Sequence, residues 1–277
     1  MRLTFSALLL YFLLLPGALS ASNIRLQTLN YSVYIAGLRS LNINLYNSLG
    51  NKDYGINIVL NTEGLADKLF KWGMTAFSYG KLKQSTVLPR KAGRSSIWRG
   101  KQRSVRLEFS GNSFPTVEII SRNKDITRNL LPLEKLMGAR DLAGSILSYL
   151  MFAGNTNACI KSERVFDGRR DYNLVFENQA KVKLRRNKYS PYDGPALRCQ
   201  FTLQKIAGFR SKASRYTWIT DGSARIWLAQ VFSNTIMIPV RLEADTIFGG
   251  LFVHLVAAQQ SYKGEKVKLR NISNKTN

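Results

Sequence analysis

One histidine and two cysteines in 277 residues leave this chain almost without the side chains that hold transition metals. Zinc needs three or four nitrogen, sulfur or carboxylate ligands, so His254 with Cys159 and Cys199 makes no ordinary site, and no metal or other cofactor is expected. Acids are scarce as well: 17 Asp and Glu stand against 41 Lys and Arg, a net charge of +24. Motifs that carry chemistry are missing too. There is no Gly-x-Ser-x-Gly, no phosphate loop and no His-Glu-x-x-His. Ser78-Tyr79-Gly80-Lys81 matches a Ser-x-x-Lys pair, but that pair works on a helix; on a strand a spacing of three puts the two side chains on opposite faces. His254, inside Leu251-Phe252-Val253-His254-Leu255-Val256, reads as an ordinary strand residue. The chain is therefore read as no enzyme, with no catalytic residue assigned.

What is present begins at the N-terminus. Arg2 precedes an unbroken apolar run, Leu3 to Leu15; Pro16-Gly17 breaks it, and Ala18-Leu19-Ser20 supplies the small residues that signal peptidases need. Residues 1–20 are expected to be a cleaved secretory signal, the alternative being an uncleaved anchor, for which the run is too short. No cysteine follows the cleavage point, which argues against a lipoprotein. Export places the protein in an oxidising compartment. There, a Cys159–Cys199 pair without CxxC spacing or a neighbouring histidine is expected to be a structural disulfide. Closing a loop of about 40 residues, it is worth roughly 4 kcal/mol in the chain-entropy model.

A pI of about 10.3 would ordinarily raise nucleic acid as a partner. An exported protein meets anionic lipids and lipopolysaccharide phosphates instead, so no nucleic-acid partner is expected. The basic residues are spread along the chain, which fits a solvated surface as well as a binding footprint. In the densest cluster, Lys181-Val182-Lys183-Leu184-Arg185-Arg186-Asn187-Lys188, charge alternates with apolar residues, as on a strand with one wet basic side.

Period-two alternation dominates residues 21–258, which are expected to form one β-rich domain of about a dozen strands. Tyr31, Val33 and Ile35, then Leu41, Ile43 and Leu45, then Tyr54, Ile56, Ile58 and Leu60 make an antiparallel meander with turns at Ala36-Gly37 and Gly50–Asp53. Helical spacing of Leu65, Leu69 and Trp72 marks a short insert. Strands resume at 74–82 and 87–98, and a polar loop at 121–140 leads to a helix at about 141–153. Asp141 suits its N-terminus, and Leu142, Ile146, Tyr149, Leu150 and Ala153 make one apolar stripe. Residues 259–277, polar and lysine-rich, are expected to be a disordered tail. The fold class is mainly β: one highly curved antiparallel sheet, or a barrel-like β-structure, wrapped around a single helix. Trp72, Trp98, Trp218 and Trp227 fit either a filled core or the lining of a cavity for an acyl chain.

Several segments carry a resemblance: Tyr31–Leu38, Gly64–Trp72, Trp98–Lys101, Phe166–Tyr172, Ala196–Cys199, Ile206–Phe209 and Pro239–Thr246. Together they resemble exported bacterial proteins of domain-of-unknown-function family 3108. The resemblance implies a β-rich periplasmic protein of a Gram-negative bacterium and brings no catalytic residue. The leading expectation is a non-catalytic envelope protein that binds a lipid, a lipoprotein segment or a partner peptide. An anionic membrane surface or lipopolysaccharide is a further candidate partner. One alternative is a hydrolase of envelope polysaccharide or peptidoglycan using two of Asp167, Asp171, Asp193, Glu243 and Asp245. Another is a structural envelope-integrity factor without a cavity.

Overall fold

The alternating runs become fourteen strands of one sheet in a computed structural model of the chain, in which residues 23–83, 86–98, 100–110, 115–121, 136–209, 222–232 and 236–270 are described. In chain order these are β1 (Arg25–Ile35), β2 (Leu38–Leu49), β3 (Asp53–Thr62), α1 (Gly64–Phe70), β4 (Trp72–Lys83), β5 (Thr86–Trp98), β6 (Lys101–Glu108) and β7 (Thr116–Ser121). Then come α2 (Leu142–Thr156), β8 (Lys161–Phe166), β9 (Asp171–Leu184), β10 (Gly194–Ala207), β11 (Arg225–Ala229), β12 (Ile238–Thr246), β13 (Gly249–Tyr262) and β14 (Glu265–Arg270). The sheet order is β7-β6-β5-β4-β3-β2-β1-β13-β12-β11-β10-β9-β8, every ladder antiparallel. Sequence neighbours are sheet neighbours except β7 and β8, which form the two edges of the sheet, and β1 pairs with β13 to join its two halves. The sheet curls without closing. The proposed signal segment, residues 122–135 of the expected loop, and Trp218 lie outside the described residues.

Turn chemistry fixes the register. Ala36 and Gly37 both have positive φ (50° and 80°), the backbone that a two-residue hairpin between right-twisted strands requires. Pro89 cannot donate to a ladder, and the β4–β5 register shifts beside it, between Tyr79 and Gly80. Gly80 has no room for a Cβ there, because the Leu88 carbonyl and the Pro89 backbone occupy that space. The Asp167-Gly168 turn joins β8 to β9, with Asp167 Oδ1 accepting from the N–H of Arg169 (3.0 Å) and of Arg170 (2.8 Å).

Helix α2 lies within the curl. Asp141 caps it, its side chain accepting from the Gly144 N–H at 3.0 Å. The far end is Asn157, in left-handed backbone (φ 53°), whose N–H reaches the Ala153 carbonyl at 2.8 Å. The helix therefore runs past the expected end at about 153, through Gly154 and Asn155 to Thr156. Tyr149 stacks on Phe176 with ring centroids 3.5 Å apart, and Val165, Leu174, Leu197, Cys199, Ile226 and Leu228 complete that core. Leu147 packs with Tyr54, Ile56 and Val87 on the opposite flank. Each such buried side chain contributes about 1.5–3 kcal/mol. Leu142, placed in the apolar stripe by its spacing, is exposed at the helix start, while Ser145 and Ser148 are buried. Their hydroxyls meet the Arg164 carbonyl (3.3 Å) and the Glu163 carboxylate (2.8 Å).

Residues 259–270 correct the expectation of a disordered tail. Residues 259–262 complete β13, and a turn at Lys263-Gly264, both at positive φ, leads into β14, which pairs with the second half of β13. Val267 and Leu269 alternate with Lys266 and Lys268 as on an ordinary strand, and of the two apolar residues only Leu269 packs, against the second core, while Val267 is exposed like the lysines. Residues 271–277 lie outside the described residues.

Candidate functional site

The C-terminal end of α2 does not fill the curl. Between it and the sheet lies an open cleft of about 680 Å³. Its walls are Val182 of β9, Pro195 and Ala196 of β10, Leu228 and Ala229 of β11, with Met237 and the β14 residue Leu269. Lys181, Asp193, Asn157 and Gln230 supply its polar groups. A mostly apolar wall with a few polar atoms is the usual composition of a ligand site, and the volume lies in the usual range of about 300–1,000 Å³.

The cleft is built on rigid parts. The disulfide joins Cys159, just past the helix end, to Cys199 on β10, their Cα atoms 5.6 Å apart. Gln179 of β9 clamps the same linker, accepting from the Cys159 N–H (3.0 Å) and donating to the Asn157 carbonyl (3.2 Å). On the opposite side Tyr192 donates to the Pro195 carbonyl at 2.6 Å, and Ser190 donates to the Leu255 carbonyl at 3.0 Å. The Ser190 bond ties the 185–193 connection to β13, and the Tyr192 bond closes it onto the start of β10. Trp227 takes the sheet face opposite Ile226 and Leu228, as its alternation predicts; it packs in a second core with Ala229 and Tyr192 and lies under the Arg241 guanidinium, 5.0 Å from its ring centre.

Of the acids weighed for hydrolysis, all but Asp245 are engaged locally. Asp167 holds its turn. Asp171 is buried and takes both Nε (3.1 Å) and Nη2 (2.7 Å) of Arg164. Asp193 lies at the cleft near Arg185 (3.8 Å), Glu243 pairs with Arg241, and Asp245 is exposed near the end of β12. Ser78 is buried on β4, whereas Lys81 pairs with Asp53, so the two point apart. Among the described residues, no three His, Cys, Asp or Glu side chains converge as a metal site would require.

Two buried polar groups at the N-terminal end of α2 escape the sequence reading. Glu163, on β8, receives Arg140 (2.8 Å), Lys161 (2.6 Å) and the Ser148 hydroxyl (2.8 Å). Asp141, besides capping the helix, accepts from Ser78 (2.9 Å), whose oxygen lies 3.0 Å from the Tyr54 hydroxyl. Burial pushes the Asp141 carboxyl above the usual range, although the Gly144 and Ser78 hydrogen bonds pull it down. The signal for Glu163 was its parity with Val165 on β8, which puts a carboxylate on the core side; for Asp141 a cap was legible but its burial was not. His254 is the third such group. It is 6 % exposed, stacked on Tyr189 (5.5 Å) and edged by Tyr34 (6.0 Å). Burial, helped by the positive charge of Arg241, lowers its pKa from 6.5 to about 4, so the ring is neutral at pH 7.

No family model and no curated protein matches the chain. Among solved structures, one crystal structure of a β-barrel-like protein of domain of unknown function DUF1849 from Brucella abortus is similar over 85 % of this chain and 96 % of that one, at 10 % identity and a TM-score of 0.44. That neighbour is a bacterial domain of unknown function.

Proposed function

We propose that this chain is an exported, periplasmic envelope protein of family 3108 type that performs no bond-breaking. It binds an apolar chain, supplied by a lipid, a lipoprotein segment or a partner peptide, in the cleft at the C-terminal end of α2. The observation that carries the reading is the cleft itself: an open volume of about 680 Å³ with walls of Val182, Ala196, Leu228, Ala229 and Leu269, next to the structure's disulfide. Apolar surface left uncovered beside a cross-linked scaffold gains free energy, at about 25 cal/mol per Å², when a ligand covers it. Lys181 at the same cleft offers a cation to an anionic head group or a C-terminal carboxylate. The local engagement of Asp167, Asp171 and Glu243 supports binding rather than hydrolysis, because each carboxylate already serves a turn or an ion pair.

Native mass spectrometry of the chain purified from its source organism tests the proposal. The expected spectrum holds an adduct, whose mass separates lipid from peptide, and a Val182→Trp variant that fills the cleft loses it. A wild-type chain that arrives bare, or an adduct unmoved by Val182→Trp, overturns the reading.

A further inference from the structure

We propose that the end of the sheet made by α1 and the β5–β6 turn is a docking surface for an anionic phospholipid bilayer. The inference goes beyond the cleft and does not depend on its being filled.

Helix α1 buries none of its residues. Leu65 is 55 % exposed, Leu69 61 % and Phe70 49 %, and Trp98, on which Phe70 stacks at 6.5 Å, is 46 % exposed. Register puts Trp72 opposite Trp98, and Trp98 opposite Lys101, so the aromatics and the lysine lie in one row across the sheet end. Leu65 and Leu69, four apart, share a face of the helix. Lone apolar residues on a surface need no explanation, but four exposed ones, two of them aromatic, beside the half-buried Trp72 mark an interaction site.

Charge selects the occupant. Lys68, Lys71 and Lys101 are exposed around the patch, and none of the described ion pairs engages them. The nearby acids are occupied: Asp67 accepts from Thr62 at 2.7 Å, and Glu63 pairs with Arg39 at 3.0 Å. Thr62 also accepts from the Trp72 N–H (3.0 Å), which holds α1 against the sheet end. Tryptophan and phenylalanine at the tip with lysines around them is the composition that lies in a lipid headgroup layer, rings inward and ammonium groups on phosphates.

Co-sedimentation with vesicles of phosphatidylethanolamine and phosphatidylglycerol, against vesicles of phosphatidylcholine alone, tests the proposal, using the full chain with the same N-terminus in every variant. Each lysine near an anionic surface is worth about fivefold in binding, so Lys68→Gln with Lys71→Gln should weaken it about thirtyfold. Leu69→Ser with Phe70→Ser should weaken it at least about tenfold. Lys266→Gln with Lys268→Gln, on the exposed side of β14, should cost less than about twofold. All six side chains are exposed, and an unchanged unfolding midpoint verifies that each variant folds. Equal losses from the α1 and β14 pairs would reduce the effect to bulk charge and overturn the proposal. So would an absence of anionic-vesicle binding, or a self-association abolished by the same α1 substitutions, which would make a second copy the occupant. The cleft's adduct is read separately, so either proposal can fail alone.

Discussion

His254 gives the sharpest test of the electrostatics. Its ring is enclosed by Tyr189, Tyr34 and Phe252, with Arg241 opposite it on β12 and Ser32 opposite it on β1; no carboxylate contacts it among the described interactions. Unfolding restores an ordinary imidazole of pKa 6.5, whereas in the fold the value is about 4. Because the folded value is the lower one, the unfolded chain binds the extra proton between those two pH values. Stability contributed by the neutral ring is thus complete above pH 6.5 and falls as pH drops toward 4. At 1.36 kcal/mol per unit the limiting loss is about 3 kcal/mol, and between pH 7 and 4.5 it is about 2 kcal/mol once partial solvent access is allowed for. Urea unfolding at both pH values, for wild type and His254→Gln, measures it. Carboxylates titrate in both proteins and cancel in the difference. Wild type should lose about 2 kcal/mol more than the variant. Parallel losses would refute the assignment of a suppressed proton to this ring.

Two further outcomes follow from the buried groups and the cross-link. Asp141→Asn keeps an oxygen for the Gly144 N–H and removes a charge that burial disfavours, so it should leave the thermal midpoint unchanged or higher, while Asp141→Ala, which orphans that N–H and Ser78, should lose about 1–2 kcal/mol in the same melt. Replacing Cys159 and Cys199 together by Ser should cost about 4 kcal/mol in urea titration, the loop entropy of a separation of 40 residues; an unchanged midpoint would contradict it.

How much of this was legible in the sequence depends on what each feature rests on. Strand alternation, the Ala36-Gly37 and Gly50–Asp53 turns, the Asp141 cap and the cysteine pair are local or compositional, and the structure contains all of them. The β14 hairpin was misread because lysine content outweighed the alternation of Val267 and Leu269, and the backbone pairing with β13, with Leu269 against the second core, appears only in the fold. The cleft was not legible. Its walls come from residues as distant as Val182 and Leu269, which meet only because β13 is shared between β1, β12 and β14. Glu163 needed knowledge of which strand face meets the helix.

The cleft and the exposed sheet end share one geometric cause. A 15-residue helix is about 22 Å long, while strands of 14 residues run about 46 Å. A single helix therefore covers about half the length of the surface that curls around it. On β9 the covered half carries Tyr172, Leu174 and Phe176, in the α2 core; Val182 and Leu184, beyond it, turn to the second core and the cleft. On β4, Ser78 meets the helix cap, whereas Trp72, six residues earlier, bonds Thr62 beside α1 and lies opposite Trp98. Residual apolar surface at one end is flanked by β14 and the 192–195 segment, which makes it an open cleft. At the other end it carries α1 and unpaired lysines, which makes it a face. A sheet of this span with one short helix must expose apolar surface somewhere, and the lysines at one end against the flanking segments at the other give its two exposed parts different chemistry.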